Sequence, residues 1–294
     1  MSAATATSGE AAEGPPWRGG RVTAHARCVL APNPGPMTLD GTNTWVLGAP
    51  GAGPAVVVDP GPEETAADRA HLAAVLQVAR EEHGGVALVV LTHHHADHTG
   101  GARHFARLAG GAAGSVPVLA VDPALRVAGA GLLDGAASLS DGAEFPCAGA
   151  RLAVVAAPGH TADSVCLLLR SPGAAALLTG DTVLGRGTSV VMHPDGDLGA
   201  YLATLARLAD VVEREQVDLL LPGHGPVLRA PAQVLARYTA HRLRRVEEVT
   251  AAQRVGARTP SDVVDVVYPD LADELRPAAE RTASAALAYL ADRA

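Results

Sequence analysis

Residues 93–98 read His-His-His-Ala-Asp-His, so His93, His95, Asp97 and His98 place four potential metal ligands within six positions. At the end of an extended strand, side chains two apart point the same way, and His93 and His95 can share one ion. The turn that follows can deliver Asp97 and His98 to a second ion. Taken by itself, the run has a plainer reading as a solvated histidine-rich loop. Three further segments weigh against that reading. Pro158-Gly159-His160, Gly180-Asp181 and Pro222-Gly223-His224-Gly225 each follow an apolar run, turn through a glycine and expose one metal-type side chain. A lone Pro-Gly-His is most often just a turn. Three such turns beside the histidine run predict ligands converging outside the ends of neighbouring strands.

Histidine and aspartate without thiolate suit zinc, with iron or manganese also compatible. Two such ions about 3.5–4 Å apart can hold a water as hydroxide near neutral pH and stabilise developing negative charge. That chemistry is hydrolysis, and Asp97 is also placed to orient the nucleophile or accept its proton. Asp59, which closes Ala55-Val56-Val57-Val58 and precedes Pro60-Gly61, reads as a strand-end turn residue and as a carboxylate able to orient a ligating histidine.

Seven short apolar runs supply the strands: Ala55 to Val58, Val86 to Leu91, Val116 to Val121, Leu152 to Ala157, Val165 to Leu169, Ala175 to Leu178 and Asp218 to Leu221. Between them, Glu64 to Glu82 sets Leu72, Val75, Leu76 and Ala79 on one helical face. Leu198, Tyr201, Leu202, Leu205, Leu208 and Val212 form a second stripe. Interleaved strands and helices predict a layered α/β arrangement with helices outside buried sheets. From residue 231 the strand signal disappears. Helices are expected over residues 229–254, from Thr259-Pro260-Ser261-Asp262 through Val267, and over residues 277–290.

The 294 residues, 48% of them hydrophobic and 3% aromatic, suffice for a large aliphatic core. No apolar stretch approaches the roughly 20 residues of a membrane span. Residues 1–20 are expected to be a disordered lead-in without the features of a signal peptide. Cys28, Cys147 and Cys166 are scattered among apolar residues, which favours free thiols and a reducing, cytoplasmic setting. A net charge of −8 disfavours a broadly basic nucleic-acid surface, although a local patch remains open.

Asp59, the 93–98 run, His160, Asp181 and His224, in that order, resemble the motifs of the metallo-β-lactamase superfamily across about residues 21–230. The resemblance implies an αββα sandwich in which His93, His95 and His160 bind one metal and Asp97, His98 and His224 the other. Asp181 would bridge the two and His94 would be a bystander. Asn33-Pro34-Gly35-Pro36-Met37, Thr42-Asn43-Thr44, Thr179 to Gly185 and Pro222 to Val227 are similar to the β-lactamase-like protein 2 branch. Residues 231–294 would then be a small helical, winged-helix-like module, with little room for a complete wing.

That branch implies single-stranded RNA as the favoured substrate. Arg186 would reach a phosphate, and Arg237, Arg242, Arg244 and Arg245 would extend the track. The plainer reading of those arginines is a solvated helix face. The alternative substrate is a thioester of the glutathione or acyl-carrier-protein type, with His193 a candidate leaving-group acid in the loop from Gly187 to Asp197. A third reading, an idle metal domain serving as an interaction module, sits poorly with a complete ligand set.

Overall fold

The computed structural model describes residues 16–126 and 139–293. Most of the expected N-terminal lead-in therefore lies outside the described residues. From residue 16 the chain is engaged: Trp17 Nε1 donates to Asn43 Oδ1 at 2.8 Å, and a strand begins at Gly20.

Among the described residues, twelve strands form two six-stranded mixed sheets. The first contains β1 (Gly20–Thr23), β2 (Ala26–Leu30), β3 (Asn43–Leu47), β4 (Ala55–Val58), β5 (Val86–Val90) and β6 (Val118–Leu119), hydrogen-bonded in that order. The second contains β7 (Glu144–Cys147), β8 (Ala150–Ala156), β9 (Val165–Ser171), β10 (Ala174–Gly180), β11 (Val217–Pro222) and β12 (Leu228–Arg229), also in sequence order. Among the described residues, only β4–β5, β5–β6 and β10–β11 are parallel pairs. The helices are α1 (Ala66–His83), α2 (Ala96–Thr99), α3 (Ala102–Gly110), α4 (Leu198–Glu215), α5 (Pro231–Arg254), α6 (Pro260–Val267) and α7 (Arg276–Ala291).

The central strands β4, β5, β8, β9, β10 and β11 are near-continuous apolar runs because both of their faces are largely buried. Val56, Val58, Leu88 and Val90 point into the core between the sheets, where they meet Leu152, Val154, Leu167, Leu169 and Leu178. The alternate residues Val57 and Val89 turn the other way, against Leu72, Val75 and Phe105 of α1 and α3. On the far side, Ala153, Val155, Cys166 and Leu168 pack under α4 to α7 through Tyr201, Leu205, Leu208, Val234 and Val264. Period-two burial on both sheets thus produces the four-layer αββα sandwich.

Local signals fix the helix starts. Thr65 and Asp68 form a capping box on α1, and Thr259 and Asp262 form one on α6 where the sequence placed a start. The C-terminal α6 and α7 pack on each other and on α5.

A candidate metal centre at the strand ends

Five loops carry the candidate side chains, and each leaves the carboxyl end of a strand. Asp59 follows β4, the histidine run follows β5, His160 follows β8, Asp181 follows β10 and His224 follows β11. Three groups result among the described residues, within each of which one ligand atom per residue lies within 4.8 Å of the others: first His93, His95, His160 and Asp181, second Asp97, His98 and His224, and third the half-buried His94, His95 and Asp195.

In the first group, His95 Nδ1 lies 3.0 Å from His93 Nε2 and 3.2 Å from His160 Nε2. In the second, His98 Nε2 and His224 Nε2 are 3.2 Å apart, and Asp97 Oδ2 lies 3.3 and 3.2 Å from them. Asp181 stands between these two groups. Its Oδ1 is 3.4 Å from His98 Nε2, and its Oδ2 is 3.4 Å from His224 Nε2 and 3.8 Å from His160 Nε2.

Outer hydrogen bonds aim these rings. Asp59 is 1% exposed, and its carboxylate accepts from Thr92 N at 2.8 Å, Thr92 Oγ1 at 2.7 Å and His98 Nδ1 at 2.9 Å. Because its proton goes to Asp59, Thr92 Oγ1 accepts from His93 Nδ1 at 3.0 Å. His160 Nδ1 donates to the Val190 carbonyl at 2.7 Å, and His224 Nδ1 to the Gly41 carbonyl at 3.1 Å. Each of these four rings therefore turns its Nε2 inward, the arrangement that prepares imidazoles for a metal. Asp59 also has φ +51°, so its turn role and its hydrogen-bonding role coexist.

The donor set fits a cation. His95 Nδ1 faces two inward nitrogens, and one hydrogen on it can satisfy only one of them. Burial, reinforced by the neighbouring histidines, pushes His93 well below its usual range and His95 down to about 4, so both hold lone pairs at neutral pH. Asp181 Oδ1 is buried with no hydrogen-bond partner. A Cβ on Gly223 would meet Asp181 Oδ1 at 2.4 Å and His98 Cε1 at 2.9 Å, so the loop approaches the site only as glycine.

In the second group, burial opposes charge but Asp181 and its fellow carboxylates prevail. His98 is held well above its usual range and His224 is raised to about 9. Asp97 and Asp181 are held well below the carboxylate range by those histidines, against their own burial.

The structure also gives contacts to motif residues whose part in the site the sequence did not assign. Asn33 Nδ2 donates to Thr42 Oγ1 at 3.0 Å, and Thr42 Oγ1 to Asp97 Oδ2 at 3.2 Å. Asn43 Nδ2 donates to the Pro222 and Gly225 carbonyls at 2.9 and 2.8 Å, tying down the loop that carries His224. Thr44 Oγ1 donates to the Asp59 carbonyl at 2.8 Å. The Thr42-Asn43-Thr44 motif thus fastens three separate pieces of the site.

His94 belongs to neither of the first two groups but to the third, with His95 and Asp195; its Nδ1 lies 2.9 Å from Asp163 Oδ1 and its Nε2 3.6 Å from Asp195 Oδ2. His193 is exposed and belongs to none of the three groups. The arginine track is not assembled. Arg186 pairs with Asp40, Arg245 pairs with Glu248 at 2.5 Å, and Arg242 is buried with its guanidinium donating to the Ser189 carbonyl. Only Arg237 and Arg244 of that set stand exposed. Cys28, Cys147 and Cys166 are free and buried, with burial pushing each thiol up to about 12, and none joins the site.

Two sheets between helical layers, with histidines and carboxylates gathered at their strand ends, define a metal-dependent hydrolase. A family model described as the metallo-beta-lactamase superfamily matches residues 37–224. The chain belongs to that superfamily. A second model, the beta-lactamase associated winged helix domain, matches residues 259–293. The chain is 31% identical over 274 residues to a beta-lactamase-like protein 2 homolog of Drosophila melanogaster, covering 88% of this chain and 85% of that one. It is 29% identical over 254 residues to an atrochrysone carboxyl ACP thioesterase of Aspergillus fumigatus, covering 82% and 72%. A beta-lactamase domain protein from Burkholderia ambifaria has the same fold, with TM-score 0.74 and 23% identity over 96% of this chain and 91% of that one. Among the described residues, no helix is long and apolar enough to cross a membrane.

Proposed function

We propose that this protein hydrolyses an acyl thioester. His93, His95 and His160 would hold one metal ion, Asp97, His98 and His224 a second, and Asp181 both. Nitrogen and oxygen donors without thiolate favour zinc. Bound there, the metal pair would lower the pKa of a water and stabilise negative charge developing on the attacked oxygen.

The chain's own groups supply the rest. Asp97 Oδ2 is engaged by Thr42, His98 and His224, leaving Oδ1 to accept a hydrogen bond from the attacking water and orient it. Water adds to the thioester carbonyl, the C–S bond breaks, and the acyl carboxylate and a thiol leave. A thiol with a pKa near 8.5 departs as thiolate. Such a leaving group needs little protonation, in keeping with a loop whose His193 takes no part in either cluster.

The observation that favours a thioester over RNA is the fate of the arginines. Phosphodiester binding draws on unpaired cations, and Arg186, Arg242 and Arg245 are all engaged within the protein. A relative named as an acyl-carrier-protein thioesterase supports the same reading. The test is a side-by-side assay of zinc-loaded protein on acyl thioesters of coenzyme A, glutathione and carrier protein, and on single-stranded RNA. His95→Ala serves as the blank. Thioester hydrolysis that disappears in the blank is expected. RNA cleavage that disappears in the blank, with all thioesters intact, would overturn the proposal.

A further inference from the structure

Helix α5 contributes nothing to either cluster, yet it carries a buried cation beside them. Arg242 is 5% exposed, its Nε has no hydrogen-bond partner, and no carboxylate pairs with it among the described residues. Leaving a guanidinium buried without an anion is costly. What it does engage is the Ser189 carbonyl, to which it donates, and the Tyr201 ring, whose centroid lies 5.3 Å from its Cζ.

The same helix holds the preceding part of that segment. Tyr238, one turn earlier, accepts from Leu184 N at 2.8 Å and donates to the Leu184 carbonyl at 3.1 Å. Tyr201 of α4 donates to the Thr182 carbonyl at 2.6 Å. Residues 182–189 are thus pinned at three points. The segment begins beside Asp181 and runs into Val190, whose carbonyl takes the Nδ1 proton of His160.

We infer that α5 is a brace for the metal centre. Arg242 and Tyr238 are positioning residues that hold residues 182–190 in place, so that the Val190 carbonyl fixes the tautomer and direction of His160. The C-terminal helices thereby serve the hydrolytic site itself. The inference rests on the ligand assignment made above and is independent of the substrate.

The test is zinc titration of the full chain against a chelator, resolving the two binding equivalents, with His160→Ala marking which one depends on His160. Arg242→Met should weaken that equivalent about 10-fold, at the lower end of the loss caused by removing outer hydrogen-bond partners. The other equivalent should be unchanged, and Arg242→Lys should restore part of the loss. Tyr238→Phe deletes one hydroxyl and should act in the same direction more weakly, carrying the test if Arg242→Met fails to fold. Unchanged affinity in the folded variants would overturn the brace. So would equal weakening of both equivalents alongside a lowered Tm, the mark of general destabilisation. If His160→Ala weakens neither equivalent, the ligand assignment falls and the brace with it.

Discussion

Replacing Asp59 by asparagine separates the residue's two roles. At φ +51° the backbone is left-handed, a conformation asparagine adopts as readily as aspartate. The substitution therefore leaves the turn intact and alters only the hydrogen bonds. Asp59 accepts three of them, from Thr92 N, Thr92 Oγ1 and His98 Nδ1. An amide keeps one acceptor oxygen for Thr92 N and presents an NH2 group to His98 Nδ1. His98 then accepts at Nδ1, and its proton moves to Nε2, the atom that must be bare to bind a metal. Losing such an outer partner reduces metal affinity by roughly 10- to 100-fold, or about 1.4–2.8 kcal/mol. Removing one charge-assisted bond also costs the metal-free fold about 1.5–3 kcal/mol. Chelator competition measures the first quantity and urea denaturation of the metal-free protein the second. A folded Asp59→Asn variant with both zinc affinities unchanged would refute the reasoning and leave Asp59 as a turn residue.

The two clusters should differ in how metal binding depends on pH. With His93 lowered well below its usual range and His95 lowered to about 4, these two imidazoles have no proton to expel near neutral pH, so metal binding in the first cluster should depend on pH less steeply than in the second. With His224 raised to about 9 and His98 held well above its usual range, the second must expel protons at pH 7, so its affinity should climb with pH across this range. Proton release measured calorimetrically in two buffers distinguishes these behaviours. In the metal-free protein, the raised His224 contributes stability fully below about 6.5 and loses it as pH rises through about 9. Gly223→Ala should keep the fold by circular dichroism yet lose zinc, because the new methyl would meet Asp181 and His98; normal zinc content in that variant would contradict the close approach.

The sequence was most legible where one physical demand acted alone. All seven apolar runs became strands, β4 to β6 and β8 to β11, because burial on both faces leaves an unbroken apolar signature. β3 was not legible because it starts with Asn43 and Thr44, polar residues that are fully buried and hydrogen-bonded to the site. The chemistry there masks the strand. β1, β7 and β12 are short edge or near-edge elements with mixed burial, too brief to show a period. His160, Asp181 and His224 were legible because each follows a glycine at a strand end, and His93, His95, Asp97 and His98 because they crowd into one short run. Apart from Asp59, their outer partners were not, since Val190 and Gly41 act through carbonyls that any residue carries. Arg242 was read as part of a solvated helix face or, at most, as a phosphate contact, although it follows Val234, Leu235 and Tyr238 on the buried stripe of α5. Counting the helical period through that arginine would have placed it inside.

The central claim is that one carboxylate, Asp181, serves two adjoining metal positions. Elemental analysis of purified wild-type protein and of Asp181→Ala, both equilibrated with limiting zinc, tests it most directly. The account predicts about two zinc equivalents in the wild type and loss from both positions in the variant. A variant that still holds two equivalents with unchanged affinity would contradict it.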